Sequence, residues 1–268
     1  MGRGWTRSPP TAGCARSSPS LTLLDELPVF VLALLKVDPE RTRRFLDGFR
    51  AVRQRADNVR WVLAGSIGLD TVAALHNLAD TINDLEVAEL GAFEPEVARD
   101  FVAGLDQTHG LGLDASARTY LVARVGWPIP YFLQLLFRQV RNLVEDTAAP
   151  PTTATVDAAW DELLDPNRRN YFDAWRQRLP KQLGPVLASH AEALLAAASA
   201  PDGVRGSTLA QVLHARVADP AARDEALVFP INVLRNDGYL VRDGDPPSGR
   251  YRFRSPLLRA WWRQYHGQ

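Results

Sequence analysis

Cysteine is almost missing from this sequence. Cys14 stands alone, which excludes an internal disulfide framework and any multi-cysteine metal site and fits a reducing compartment, the cytoplasm by default. Net charge is missing too: 31 basic and 31 acidic residues cancel. No overall field therefore draws the chain to nucleic acid or an anionic membrane, and any such binding must be local. No apolar run is long enough to cross a bilayer, since the longest, Leu27 to Leu35, is about half the required length and is bracketed by Glu26 and Lys36. The five histidines (His76, His109, His190, His214 and His266) have no ligand spacing. None pairs with a Ser or Cys in a nucleophile motif, so metal-site and triad readings fail. Lysine is confined to Lys36 and Lys181, and Met1 is the only methionine. Arg and Lys serve a solvated surface almost equally, so this bias reflects GC-rich coding.

What is present is a chain of 268 residues, 46% hydrophobic, long enough for one large or two ordinary domains. Residues 1–20 hold Arg, Ser, Pro and Gly but no acid, and read as a disordered leader. They lack the amphipathic spacing of a transit peptide and the apolar stretch of a secretory signal. Leu21-Thr22-Leu23-Leu24 then suits a buried strand ending in Asp25-Glu26. Phe45, Leu46, Phe49 and Val52 recur at helical spacing within Pro39 to Ala56, and Val59 to Ala64 reads as a second buried strand stopped by Gly65-Ser66. Strand, helix, strand implies a parallel α/β sheet. The alternation of Leu85 to Leu90 predicts a third strand.

Helices are predicted near 95–107, 114–124, 129–145, 155–164 and 168–179, with Trp160, Tyr171, Phe172 and Trp175 as core packing. After Pro185 come helices over Val186 to Ala198, Ser207 to Arg216 and Ala221 to Asn236. Strands Tyr239 to Arg242 and Arg250 to Arg254 follow, joined by a Gly- and Pro-rich tip. Three helices and a hairpin make the winged helix-turn-helix order. Ser255-Pro256 starts a last helix with Trp261, Trp262 and Tyr265.

Asp25-Glu26 after four apolar residues is the pattern a nucleotide hydrolase needs where a strand meets phosphates. One carboxylate can hold Mg²⁺ through water and the other can polarise the attacking water. An acidic pair that merely closes a strand or caps a helix fits the same residues. Likewise, Ser66 suits either a phosphate sensor or a Gly-Ser turn, and Gly126 to Pro130 suits either a motif or a helix boundary. Arg250, Arg252 and Arg254 alternate with Tyr251 and Phe253 and share a strand face. There they could touch phosphate or lie solvated over packed aromatics. The helix before that hairpin carries Arg223 and Arg235 against Asp224, Glu225 and Asp237, a poor composition for reading the major groove. Residues 181–268 carry 11 basic and 8 acidic side chains, only a mild excess, and with that helix the composition favours a protein contact over DNA.

Taken in order, these segments resemble the AAA+ and STAND class of P-loop ATPases, notably prokaryotic and archaeal members that end in a winged helix. Asp25 and Glu26 resemble Walker B, and Ser66 stands where that class has sensor 1. Leu90 to Leu105 resembles the entry to the helical lid, Gly126-Trp127-Pro128 its Gly-x-Pro motif, and Tyr251 to Trp262 the terminal segment of archaeal-type members. The resemblance covers about residues 20–268. It implies a partial P-loop α/β core over 21–92, a helical lid over 93–180 and a winged helix over 181–268, mostly helical overall. It further implies ATP and Mg²⁺ as cofactors, with Mg²⁺ on Asp25, water activated by Glu26, γ-phosphate sensed by Ser66 and the base bordered by Gly126 and Pro128. The partner is expected to be a protein docked through the winged helix, with DNA contact through Arg250, Arg252 and Arg254 as the alternative, no membrane, and self-association left open.

One motif of that class has no counterpart. No Gly-x-x-x-x-Gly-Lys-Ser/Thr occurs in the sequence, and neither Lys36 nor Lys181 follows a Gly-rich approach. In the strand order of the class, the missing first strand lies between the one ending at Ala64 and the one at Leu85 to Leu90. Its loss exposes ladder groups and apolar faces, at about 1–3 kcal/mol for each unpaired buried group. The chain is therefore expected to be the Walker-B-onward part of an ATPase, unable to bind or hydrolyse ATP alone.

Overall fold

The computed structural model describes residues 20–88, 90–145, 150–166, 171–219, 223–244 and 249–266. They fall into two compact units divided between Leu85 and Glu86. Residues 1–19 therefore lie outside the described residues, as do the first residues of the helix expected at 168–179 and of the one expected at Ala221, and the centre of the hairpin tip; Ser20, expected in the leader, is described.

In the first unit, β1 (Ser20–Leu24) and β2 (Val59–Leu63) pair in parallel, Ser20 opposite Val59 and Leu24 opposite Leu63. Parallel strands need a crossover, supplied by α1 (Leu27–Val37) and α2 (Pro39–Arg55). Both helices open on a proline in the first turn, where a missing N–H costs nothing, and Asp38 caps α2 by accepting the N–H of Arg41 at 2.9 Å. The apolar run Leu27 to Leu35 thus folds as a helix. A short α3 (Leu69–Leu75) and a 3₁₀ turn (Ala79–Thr81) follow. Leu27, Val31, Leu46, Ile67, Val72, Ala73 and Leu78 form the buried cluster.

The arginines of α2 tie down the segment after α3. Arg53 grips both carboxylate oxygens of Asp84, at 2.8 and 3.2 Å, and the carbonyl of Thr81 at 2.9 Å. Arg43 reaches Asp80 at 2.9 Å. The guanidinium of Arg53 holds the Asp84 carboxyl below the usual carboxylate range.

The two faces of the sheet differ. Thr22, Leu24, Trp61 and Leu63 lie on the half-buried face, where Trp61 meets Phe49 edge to face at 5.2 Å. The opposite face carries Leu21, Leu23 and Val62, which are 63%, 67% and 48% exposed. The sequence predicts buried strands, yet no residue of β1 or β2 is fully buried, and this face lies open to water although, Arg60 apart, it is apolar. Residues 85–88 and 90 form no strand, contrary to the expectation for Leu85 to Leu90. Val87 and Leu90 are exposed, and a period-2 pattern makes a strand only where a neighbour accepts its hydrogen bonds.

The second unit begins with helices α4 (Pro95–His109), α5 (Ala115–Val125), α6 (Pro130–Val144) and α7 (Thr153–Leu164). Their boundaries follow local chemistry. Pro95 and Pro130 stand in first turns, Asp114 accepts the N–H of Ala117 at 2.7 Å, and Gly110 and Gly126 end helices with positive φ. The core comprises Ala98, Val102, Leu121, Phe132, Leu133, Leu136, Val140, Val156 and Leu163. Trp160, Phe172 and Trp175 are buried, as expected, and Tyr171 is half-buried.

Helix α8 (Asp173–Ala198) spans both helices expected on either side of Pro185. It bends at Gly184, whose φ of 73° and ψ of 172° are not helical. Then come β3 (Val204–Arg205), α9 (Gly206–His214), α10 (Arg223–Asn236), β4 (Leu240–Asp243), β5 (Arg250–Phe253) and α11 (Pro256–His266). The strands form an antiparallel sheet in the order β3-β5-β4; β3 is too short to leave a sequence pattern. Trp261 and Trp262 of α11 are buried. The Tyr239 hydroxyl donates to the Trp175 carbonyl at 2.6 Å and joins β4 to the first turn of α8.

Candidate functional site

The parallel ladder continues past both strands. Ala64 N–H donates to the Leu24 carbonyl at 2.8 Å, and Leu27 N–H to the Ala64 carbonyl at 3.3 Å. This brings the carboxyl ends of β1 and β2 together, the place where open α/β sheets bind ligands. Asp25 and Glu26 leave β1 there, and Ser66 leaves β2.

The three residues form one hydrogen-bonded group. Glu26 Oε2 accepts the Ser66 hydroxyl at 2.9 Å and the Ser66 N–H at 3.2 Å. Asp25 Oδ1 accepts the Glu26 N–H at 2.8 Å. All three are exposed, so the carboxylates face water. Glu26 has φ 55° and ψ 25°, the left-handed region, which costs a non-glycine residue about 1–2 kcal/mol. Asn77 is the other described non-glycine residue with positive φ, but Asn tolerates that region through its short polar side chain. Strained backbone clusters at functional sites, which makes Glu26 and its two partners the candidate site of the first unit.

The sequence marks Gly65 only as the end of a strand, yet it sets the site. A Cβ at this position would sit 2.5 Å from Cδ of Pro28, so only glycine lets the β2 loop approach the start of α1 closely enough for Ser66 to reach Glu26. The signal was the Gly-Ser pair itself. Its partner in α1 was not readable.

Gly126 and Pro128 belong to the second unit, in the connector between α5 and α6. Gly126 has φ 67°, and an added Cβ would lie 2.6 Å from Cγ of Pro256. The Pro128 carbonyl accepts the N–H of Phe93 at 3.0 Å. Between them, Trp127 meets Phe132 at 5.8 Å and Trp175 at 6.5 Å, and Arg254 lies over its ring at 5.9 Å. The connector is thus packed into a seam with α8 and the segment around β5 and α11.

The three arginines of β5 and its end are engaged within the fold. Arg250 donates to the carbonyls of Asp202 at 2.8 Å and Gly203 at 2.9 Å. Arg252 pairs across the hairpin with Asp243, and Arg254 donates to the Leu240 carbonyl at 3.3 Å. Phe253 is buried beneath them.

Among the described residues, no three His, Cys, Asp or Glu side chains converge on one point. No described helix is long and apolar enough to cross a membrane. Comparison with protein-family models, with curated proteins and with solved structures finds no match.

Proposed function

We propose that this chain is the Walker-B-onward part of an ATP-dependent molecular switch of the AAA+ and STAND class, working in the cytoplasm. The observation that carries this reading is the Asp25-Glu26-Ser66 group at the carboxyl ends of two adjacent parallel strands, with the backbone of Glu26 strained. Strand adjacency, the acidic pair on one strand and the hydroxyl on the next agree with the Walker B and sensor 1 arrangement. The apolar face of Leu21, Leu23 and Val62 adds support, because it has the character of a sheet interior and suits cover by a helix that follows the missing strand.

Exposed carboxylates and a hydroxyl fit a magnesium ion, which keeps most of its waters and touches one or two carboxylates. Asp25 would hold it, and when bound it would supply charge neutralisation to phosphates. Glu26, oriented by Ser66, would take a proton from water. A cradle of backbone N–H groups for the phosphates is a different matter, since the sequence has no Gly-rich loop to make one. Nucleotide binding would therefore need a phosphate loop carried on a further segment.

The second unit would act as lid and relay. Helices α8, α9 and α10 followed by the β4-β5 hairpin have the winged-helix order, and the Trp127 seam ties the Gly126-Pro128 connector to that hairpin. A protein partner is preferred over DNA because Arg250, Arg252 and Arg254 already make hydrogen bonds inside the fold.

A fluorescent ATP analogue tests the reading, titrated into this chain and into the product of the reading frame extended upstream. The extended protein is expected to bind, this chain far more weakly, and the extended Glu26→Gln variant to keep binding while losing hydrolysis. An extension that adds no phosphate loop and no nucleotide affinity would overturn the proposal. In that event the winged-helix order of the second unit leaves a nonhydrolytic interaction module as the second reading.

A further inference from the structure

The second unit has a cleft of about 290 Å³ between α4 and α6, lined by Leu105, His109, Tyr131, Gln134, Arg138 and Arg141. Buried Leu135 and Phe137 form its floor. Its volume is near the lower end of the range for small-molecule sites, about 300 Å³. Among the described residues, no carboxylate lines it.

Some guanidinium groups of this protein meet acids, as Arg53 meets Asp84 and Arg124 meets Asp157 at 2.9 Å; those of the cleft do not. Among the described residues, Arg138 and Arg141 have no carboxylate within 4.0 Å. Arg138 lies over the ring of Tyr171 at 5.1 Å, and Arg141 Nη1 lies 3.3 Å from His109 Nδ1. Both cations are thus placed against rings rather than carboxylates.

The two arginines are three residues apart on α6 and share a face of the helix. Arg178 adds a further positive field at Tyr131. The Tyr131 hydroxyl is turned to the Tyr171 carbonyl at 3.0 Å, which leaves its ring as part of the apolar lining.

We propose that this cleft binds a small anion with a flat apolar body, an aryl phosphate or aryl carboxylate. The anionic head is held by the donor forks of Arg138 and Arg141, and the ring rests on Tyr131, Leu135 and Phe137. Planar guanidinium forks match both head groups bidentately. The site is independent of the Asp25-Glu26-Ser66 group.

Calorimetric titration of the full chain with phenyl phosphate, benzoate and inorganic phosphate tests this. At least one aryl anion is expected to bind more tightly than inorganic phosphate, and the better of the two identifies the head group. The Arg138→Ala/Arg141→Ala variant should lose about tenfold or more of that affinity, while Arg44→Ala, a surface control, keeps it. Wild-type affinity should also fall with rising salt, which needs no variant to fold. Absence of aryl-anion binding up to about 10 mM, or equal binding by a double variant of unchanged circular dichroism, would overturn the proposal.

Discussion

Glu26 concentrates the chemistry and the strain of the first unit in one residue. Its φ of 55° is a conformation that glycine adopts freely, and its carboxylate is spent on Ser66. These two effects separate by substitution. Glu26→Ala removes the carboxylate and keeps the strain, whereas Glu26→Gly removes both. The glycine variant should therefore be more stable than the alanine variant by about 1 kcal/mol, read from urea denaturation. Equal stabilities would mean that the backbone at Glu26 stores no strain. The residue was legible as an acid after a strand, but its backbone conformation was not, because that depends on where Gly65 allows the second loop to pass.

At the scale of elements, Tyr239 couples the start of β4 to α8. Its ring is fully buried, meets Trp175 edge to face at 5.2 Å, and donates to that residue's carbonyl. Burial raises its phenol well above the ordinary value of about 10. A raised folded-state pKa means that the unfolded chain loses its proton first. The contribution of Tyr239 is complete below about pH 10 and declines as pH rises above it. Tyr239→Phe should cost about 1 kcal/mol at neutral pH through the lost hydrogen bond. It should also show a smaller loss of stability than wild type between about pH 8 and pH 11, measured by denaturant titration at both pH values. A wild-type stability that falls no more steeply than the variant's would show that this phenol does not titrate with folding.

For the whole molecule, the unequal construction of the two units is the main consequence. The first has a cluster of seven buried apolar side chains and leaves Leu21, Leu23 and Val62 in water. The second buries helices on several sides. Apolar area left exposed contributes nothing to folding, at about 25 cal/mol for each Å² not buried. Amides of β1 and β2 should therefore exchange with deuterium faster than those of α5 and α6, a difference that mass spectrometry resolves. Uniform protection would mean that the exposed face is covered in solution, and Leu23→Ser with a measurement of oligomeric state would tell whether a second copy covers it.

Much of the fold could be read along the chain because its signals are local. Pro95, Asp114, Gly126 and Pro130 mark helix ends through φ restriction, capping and positive φ, which need only neighbouring residues. Leu21 to Leu24 and Val59 to Ala64 are likewise recognisable as strands. The reading faltered where local pattern was silent or misleading. Leu27 to Leu35 is apolar throughout and has no helical period to betray α1, and Leu85 to Leu90 alternates but has no strand beside it. Pairing, close approach and strain belong to the tertiary structure, because they depend on which segments folding brings side by side. Gly65 beside Pro28, Ser66 on Glu26, Arg252 on Asp243 and the unpaired arginines of the α4-α6 cleft were all decided there.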